Sequence, residues 1–136
     1  MIFKGLEVSV TGMAAQRIRI DITSSNLANV NSTRTEDGQP YRRKVPVFQA
    51  VLDNQTKTPV YKVKIPEVIE DPSPFKLKFD PSHPDADQNG YVAYPNVDPL
   101  REMVDMMSAI RTYEANLTAF NTHKDMLLKS LELIRV

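Results

Sequence analysis

All ten prolines of this 136-residue chain lie between Pro40 and Pro99, and residues 1–39 and 100–136 contain none. Proline removes a backbone donor and disrupts a helix interior. The sequence therefore confines extended structure to its middle and leaves both ends free for long helices. Three segments follow: an N-terminal helix with its exit motif over 1–33, a β-rich and Pro-rich region over 34–98, and a C-terminal helix over 99–136. The fold class expected is α+β, with the terminal helices pairing as a coiled coil around a small irregular β-rich middle.

The C-terminal segment carries the clearest pattern. Counting alternately three and four residues from Met103 gives Met103, Met106, Ile110, Tyr113, Leu117, Phe120, Lys124, Leu127, Leu131 and Ile134, of which nine are apolar. The mean spacing is that of a left-handed coiled-coil seam. Asp98-Pro99 supplies a capping carboxylate followed by proline at the first helical position. Along Phe3, Leu6, Val10, Met13, Arg17, Ile20, Ser24 and Leu27 the same spacing recurs with six apolar positions. Gly5, Gly12 and Thr23-Ser24-Ser25 weaken that helix, each glycine costing about 1 kcal/mol relative to alanine. It is expected to be frayed or absent in the free chain. Gly5, Ser9 and Gly12 fall on one side of it, where small residues let another backbone approach.

In the middle, Val60–Ile65 nearly alternates apolar with basic residues, Phe75–Phe79 alternates strictly, and Arg43–Leu52 is a third strand candidate whose Pro46 favours an edge. Asp37-Gly38 and Asn89-Gly90 are turn dipeptides.

The helices carry more apolar surface than one seam can hide. Ile2, Val8, Ile18, Ile22 and Val30 lie off the first stripe; Leu100, Val104, Met107, Leu128 and Leu133 lie off the second. At roughly 1.5–3 kcal/mol for each fully buried side chain, ten of them represent up to about 15–30 kcal/mol that a single helical hairpin cannot collect. A middle region packed on the helices would cover part of this surface. The length of the helices favours packing between molecules, and the methionines (Met103, Met106, Met107, Met126) suit adaptable contacts.

Chemistry is hard to find. Seventeen basic and seventeen acidic residues give zero net charge, which argues against a general nucleic-acid binder and gives no reason to expect an anionic membrane surface as partner. There is no cysteine, hence no disulfide, thiolate metal site or cysteine nucleophile. The sequence offers no secretory signal pattern and no membrane-spanning stretch, so export without a cleaved signal is expected if the chain leaves the cytoplasm. Asp85-Ala86-Asp87-Gln88-Asn89-Gly90 matches the opening of an EF-hand loop, but the twelfth position is Asn96 and prolines flank it. It reads as an Asx-rich turn. His83 is expected to be a loop residue with a structural hydrogen bond, and His123 a solvated helix residue. Arg42-Arg43-Lys44 is too small for a nucleic-acid patch. No catalytic, cofactor-binding or metal site is assigned, and no small-molecule substrate.

Four motifs in order then carry a resemblance. Ser25-Asn26-Leu27-Ala28-Asn29-Val30-Asn31-Ser32 matches the helix-ending stretch of the flagellar axial proteins of rod, hook and filament. Asp37 to Lys44 with Phe48-Gln49, then Asp80 to Asp87 running on through Gly90-Tyr91-Val92 and Pro95-Asn96-Val97, resemble the small proximal-rod branch. Glu102-Met103-Val104-Asp105-Met106-Met107 and Tyr113-Glu114-Ala115-Asn116 are similar to the shared C-terminal helix motif. The family residues are thus Asn26, Ala28, Asn29, Tyr113, Glu114 and Asn116. The resemblance implies a non-enzymatic subunit of the basal-body rod, exported through the flagellar apparatus and polymerising in the periplasm through its terminal helices. The shaft so formed would be hollow and would carry torque from motor ring to hook. Implied partners are copies of itself, other rod proteins, and motor-ring and export-gate components. A component of a related type III secretion assembly is the alternative.

Overall fold

The structure, a computed structural model, describes residues 2–55 and 57–135. Two long helices frame two small sheets: α1 (Ile2–Ala28), β1 (Lys44–Asp53), β2 (Val60–Glu70), β3 (Lys76–Phe79), β4 (Tyr91–Tyr94) and α2 (Pro99–Ile134). The fold is α+β with helices at both termini, as expected. α1 runs unbroken through Gly5, Gly12 and the Thr-Ser-Ser run, where the Thr23 hydroxyl donates to the Arg19 carbonyl at 2.7 Å. α2 starts where Asp98-Pro99 places it: the Asp98 carboxylate accepts from the Leu100 N–H at 3.1 Å, and Pro99 opens the helix.

α1 and α2 pair antiparallel. Gly5 faces His123, Gly12 faces Asn116, Arg19 reaches Asp105, and Asn26 meets Glu102. The contacts recur every seven residues on α1, which is the repeat of a coiled coil. A Cβ built at Gly12 lies within 3.0 Å of the Asn116 side chain, so the two positions face each other across the pair. Since the chain has no cysteine, Gly12→Cys combined with Asn116→Cys tests the pairing cleanly. Oxidation is expected to give a closed monomer on a non-reducing gel. A dimer ladder would assign the pair to two chains.

β1 and β2 form an antiparallel hairpin that packs along α1, with Lys44 near the C-terminal end of the helix and Asp53 near its start. The register advances from Val47↔Glu67 to Gln49↔Lys64, leaving Ile65 and Pro66 opposite Phe48. This bulge is where a proline, lacking its N–H, can sit in a strand. It lets β2 continue to Glu70, five residues beyond the predicted end. β3 pairs with β4 in a second hairpin-like ladder, Lys76↔Tyr94 to Phe79↔Tyr91. Gly90, with φ +83°, turns the chain into β4, and a Cβ there would stand 2.9 Å from Phe79.

Neither sheet packs along α2. Among the described residues, the buried apolar positions are small or lie in the middle region: Ala15, Tyr41, Val92, Pro95, Val97 and Ala109. No described leucine, isoleucine, phenylalanine or methionine is fully buried.

Candidate assembly interface

The helix pair is built from small and polar residues. Gly5, Ser9, Gly12, Ala15, Thr23 and Asn26 on α1 meet a stripe of α2 that includes Glu102, Asp105, Ala109, Asn116 and His123. His123 is therefore a seam residue and not a solvated one: its imidazole lies over Gly5, where a Cβ would come within 2.7 Å. The glycines do what their spacing indicates, letting a partner side chain reach the helix backbone.

The two apolar stripes lie beside this interface, one residue on. In each, alternate members flank the pair and are half-buried: Leu6, Met13, Ile20 and Leu27 on α1, Met106, Tyr113, Phe120 and Leu127 on α2. The other members face outward. Phe3, Val10, Met103, Ile110, Leu117, Leu131 and Ile134 are exposed, as are the flanking Leu100, Val104, Met107, Leu128 and Leu133. Of the motif residues, Asn26 and Asn116 face the partner helix, Tyr113 and Asn29 are half-buried, and Ala28 and Glu114 are exposed. α2, with 36 residues against 27 in α1, also runs past the start of its partner.

The total surface measures the same deficit. The chain exposes 9536 Å². A compact monomer of 15.4 kDa exposes about 7,200 Å². The excess reflects a shape more extended than a compact globule of this mass.

Where the helix pair meets the middle region, polar side chains converge. Asn26 Oδ1 accepts from the Tyr41 hydroxyl at 2.8 Å and the Lys44 N–H at 3.0 Å, while Asn26 Nδ2 donates to the Lys44 carbonyl at 2.9 Å and to Glu102 at 3.2 Å. Arg43 bridges Glu102 and Asp71, and its backbone N–H donates to Asn96 at 2.7 Å. Asn96 in turn donates to the Asp71 and Ser73 carbonyls. Burial opposes the Arg43 charge, but the bonds to Glu102 and Asp71 outweigh it and raise its pKa above the ordinary value. Asp71 is held below the usual carboxylate range, chiefly by the Ser73 hydroxyl and N–H and then by Arg43. Sequence reasoning named Asn26 but missed its partners Tyr41, Lys44 and Glu102, and Arg43 behind Glu102. A glutamate one residue short of the apolar stripe was the available signal.

A second charge cluster pins the hairpin to the start of α1. Asp53 accepts from Lys62 at 2.8 Å and Lys4 at 3.0 Å, and Glu7 accepts from Lys62 at 3.1 Å. Lys62, the Gln55 N–H and Lys4 together push the Asp53 carboxyl well below its usual range; Lys62 and Lys4 lower Glu7 likewise. Carboxyls with depressed folded-state values stabilise fully above their unfolded pKa of about 4, and lose that contribution as pH falls through the folded value. Hairpin protection in hydrogen exchange is expected to fall progressively as pH drops below about 4, and Asp53→Asn should flatten that decline.

In the Asp85–Gly90 turn, Asp85 accepts from the Thr33 hydroxyl at 2.8 Å and pairs with Arg34 at 2.9 Å. Asp87 accepts from the Asn89 and Tyr91 N–H groups, as an Asx turn does. His83 Nδ1 accepts from the Asp85 N–H at 3.0 Å, the structural bond expected of it. No group of three or more potential ligands that could hold a metal occurs among the described residues, and no helix among them is long and apolar enough to cross a membrane.

The helices that make this interface fall within two stretches that match family models. Residues 6–34, most of α1 and its exit, match a family described as flagella basal body rod protein. Residues 88–133, β4 and nearly all of α2, match the flagellar basal body rod FlgEFG protein C-terminal family. The chain is 48% identical to the flagellar basal-body rod protein FlgC of Aquifex aeolicus over 131 residues, 96% of each chain. It is 46% identical to FlgC of Bacillus subtilis, covering 96% of this chain and 97% of that one, and 46% identical to FlgC of Salmonella typhimurium over 93% of each. This chain belongs to the FlgC family of flagellar basal-body rod proteins. In this FlgC-family chain, Asn26 and Glu102 fall within the two matched stretches and touch each other.

Proposed function

We propose that this chain is a structural subunit of the flagellar basal-body rod, without enzymatic activity, that polymerises through its terminal helices into a hollow shaft carrying torque from motor ring to hook. One observation carries the reading: the helices pair through small and polar residues and leave an apolar stripe along α2 without a partner. In the assembled rod that stripe packs against neighbouring copies and other rod proteins. The assembly seam comprises Phe3, Leu6, Val10, Met13, Ile20 and Leu27 on one helix and the Met103-to-Ile134 stripe on the other.

The three segments divide the work. Residues 1–33 and 99–136 form the shaft lining, and residues 34–98 face outward to neighbouring rod subunits. Motor-ring and export-gate components are the further partners. Export proceeds through the flagellar type III apparatus without a cleaved signal, and assembly takes place in the periplasm. A helix interface of glycine, serine and threonine supports this route, because it gains little from burial alone and opens readily for passage as an unfolded chain. Docking into the rod then adds burial between subunits to the folded chain.

The test is complementation. In a strain lacking its own proximal-rod protein of this family, this chain is expected to restore swimming and to co-purify with hook–basal bodies. Absence of the chain from basal bodies of a swimming strain would overturn the reading.

A further inference from the structure

Tyr41, Asn26, Glu102 and Arg43 come from three stretches of chain up to 76 residues apart and are linked in that order by hydrogen bonds. Among the described residues no buried side-chain polar atom lacks a partner. Asn26 spends both its oxygen and its amide here, and Glu102, 1% exposed, has Arg43 as its counter-ion. If α2 is withdrawn, Arg43 and the Asn26 amide lose Glu102. If α1 is withdrawn, the Tyr41 hydroxyl and the Lys44 backbone lose Asn26. If the middle segment leaves, the Glu102 carboxylate is stranded beside an amide alone. Each partial state forfeits hydrogen bonds that only the complete cluster makes, although Arg43 keeps Asp71 and the Asn26 amide keeps the Lys44 carbonyl when α2 leaves.

The cluster also fixes alignment. The helix contacts repeat every seven residues, so sliding α2 by one heptad still sets α1's small residues against α2's inner stripe. That slip carries Glu102 away from both Asn26 and Arg43. A seam of small residues cannot forbid it, whereas a buried polar pair at one level can.

We infer that the Asn26–Arg43–Glu102 cluster is a three-way latch that sets the register of the helix pair and makes its closure and the seating of residues 41–44 a single all-or-none event. No strand packs along α2, and Glu102 ties α2 to the middle segment through Arg43. The latch belongs to the single chain, and its test does not depend on whether the chain enters a rod.

Asn26→Asp places a second carboxylate against Glu102 at nearly unchanged volume. In hydrogen exchange of the full chain at neutral pH, residues 22–28, 41–45 and 99–106 are expected to accelerate together by about tenfold or more. Adding Glu102→Gln moves the single negative charge across the contact, the new amide donating to the new carboxylate while its oxygen still accepts from Arg43. The double variant relieves the repulsion at position 102 but not the lost bond to the Lys44 carbonyl, so it is expected to reverse part of the acceleration. Acceleration confined to residues 22–28, a double variant no slower than the single one, or free exchange of all three stretches in wild type would each overturn the latch.

Discussion

Replacing Leu117 with aspartate is expected to abolish swimming in a strain that depends on this chain, while the isolated subunit folds as before. Leu117 is 41% exposed and stands on the outward side of α2. In the free chain the new carboxylate remains hydrated. Within a packed contact between subunits it loses water without gaining a counter-ion, and even about 3 kcal/mol of that penalty lowers an association constant roughly a hundredfold. His83→Ala and Asp87→Ala alter only the turn before β4 and are expected to leave swimming much less affected. Circular dichroism of purified Leu117→Asp separates the causes: a native spectrum with lost motility places the defect in assembly. Wild-type swimming by this variant would count against the seam.

The second large effect is expected inside the chain. Gly12 is buried against α2, and a Cβ there would stand 2.7 Å from Asn116 Oδ1 and 2.9 Å from its Cγ. Leucine adds three further carbons in that direction and has to push the helices apart. Overpacking of this kind costs about 1–3 kcal/mol, against a gain of up to about 1 kcal/mol from replacing glycine in a helix. Gly12→Leu should therefore lower the urea midpoint clearly, and Gly12→Ala far less, because the end of the Asn116 side chain can move. Asn116→Ala in the same chain removes the clashing atoms and should restore part of the loss. A Gly12→Leu chain as stable as wild type would mean that the helices do not meet at this level.

Some elements were plain in the sequence because a single local rule specified them. Asp98-Pro99 starts α2 since a carboxylate and a proline both suit a helix N-terminus. Lys76–Phe79 is a strand because its alternation leaves no competing period. Other elements depended on a neighbour. Tyr91–Tyr94 is only four residues long and becomes a strand because β3 lies beside it. β2 crosses Pro66 because β1 tolerates a bulge opposite Phe48. His123 looked solvated beside Lys124, but a glycine on another helix makes room for its ring.

The buried cluster was the least legible part. Asn26 stood within a recognisable motif, yet nothing local connects it to a glutamate 76 residues away. A charged residue in the first turn of a helix ordinarily means capping or dipole compensation. Only the arrival of Arg43 from the loop makes its burial tolerable.

By itself the sequence determined where the helices are, since proline is excluded from both ends, and it determined their seven-residue repeat, since side-chain spacing along a helix is fixed by the backbone. The tertiary structure decided which face of that repeat each helix turns to the other. Glycine, serine and asparagine win that face because helices can approach closely only where side chains are small or can satisfy one another. Bulkier apolar side chains cannot enter so close an approach, so alternate members of the stripe flank the pair half-buried and the others point outward.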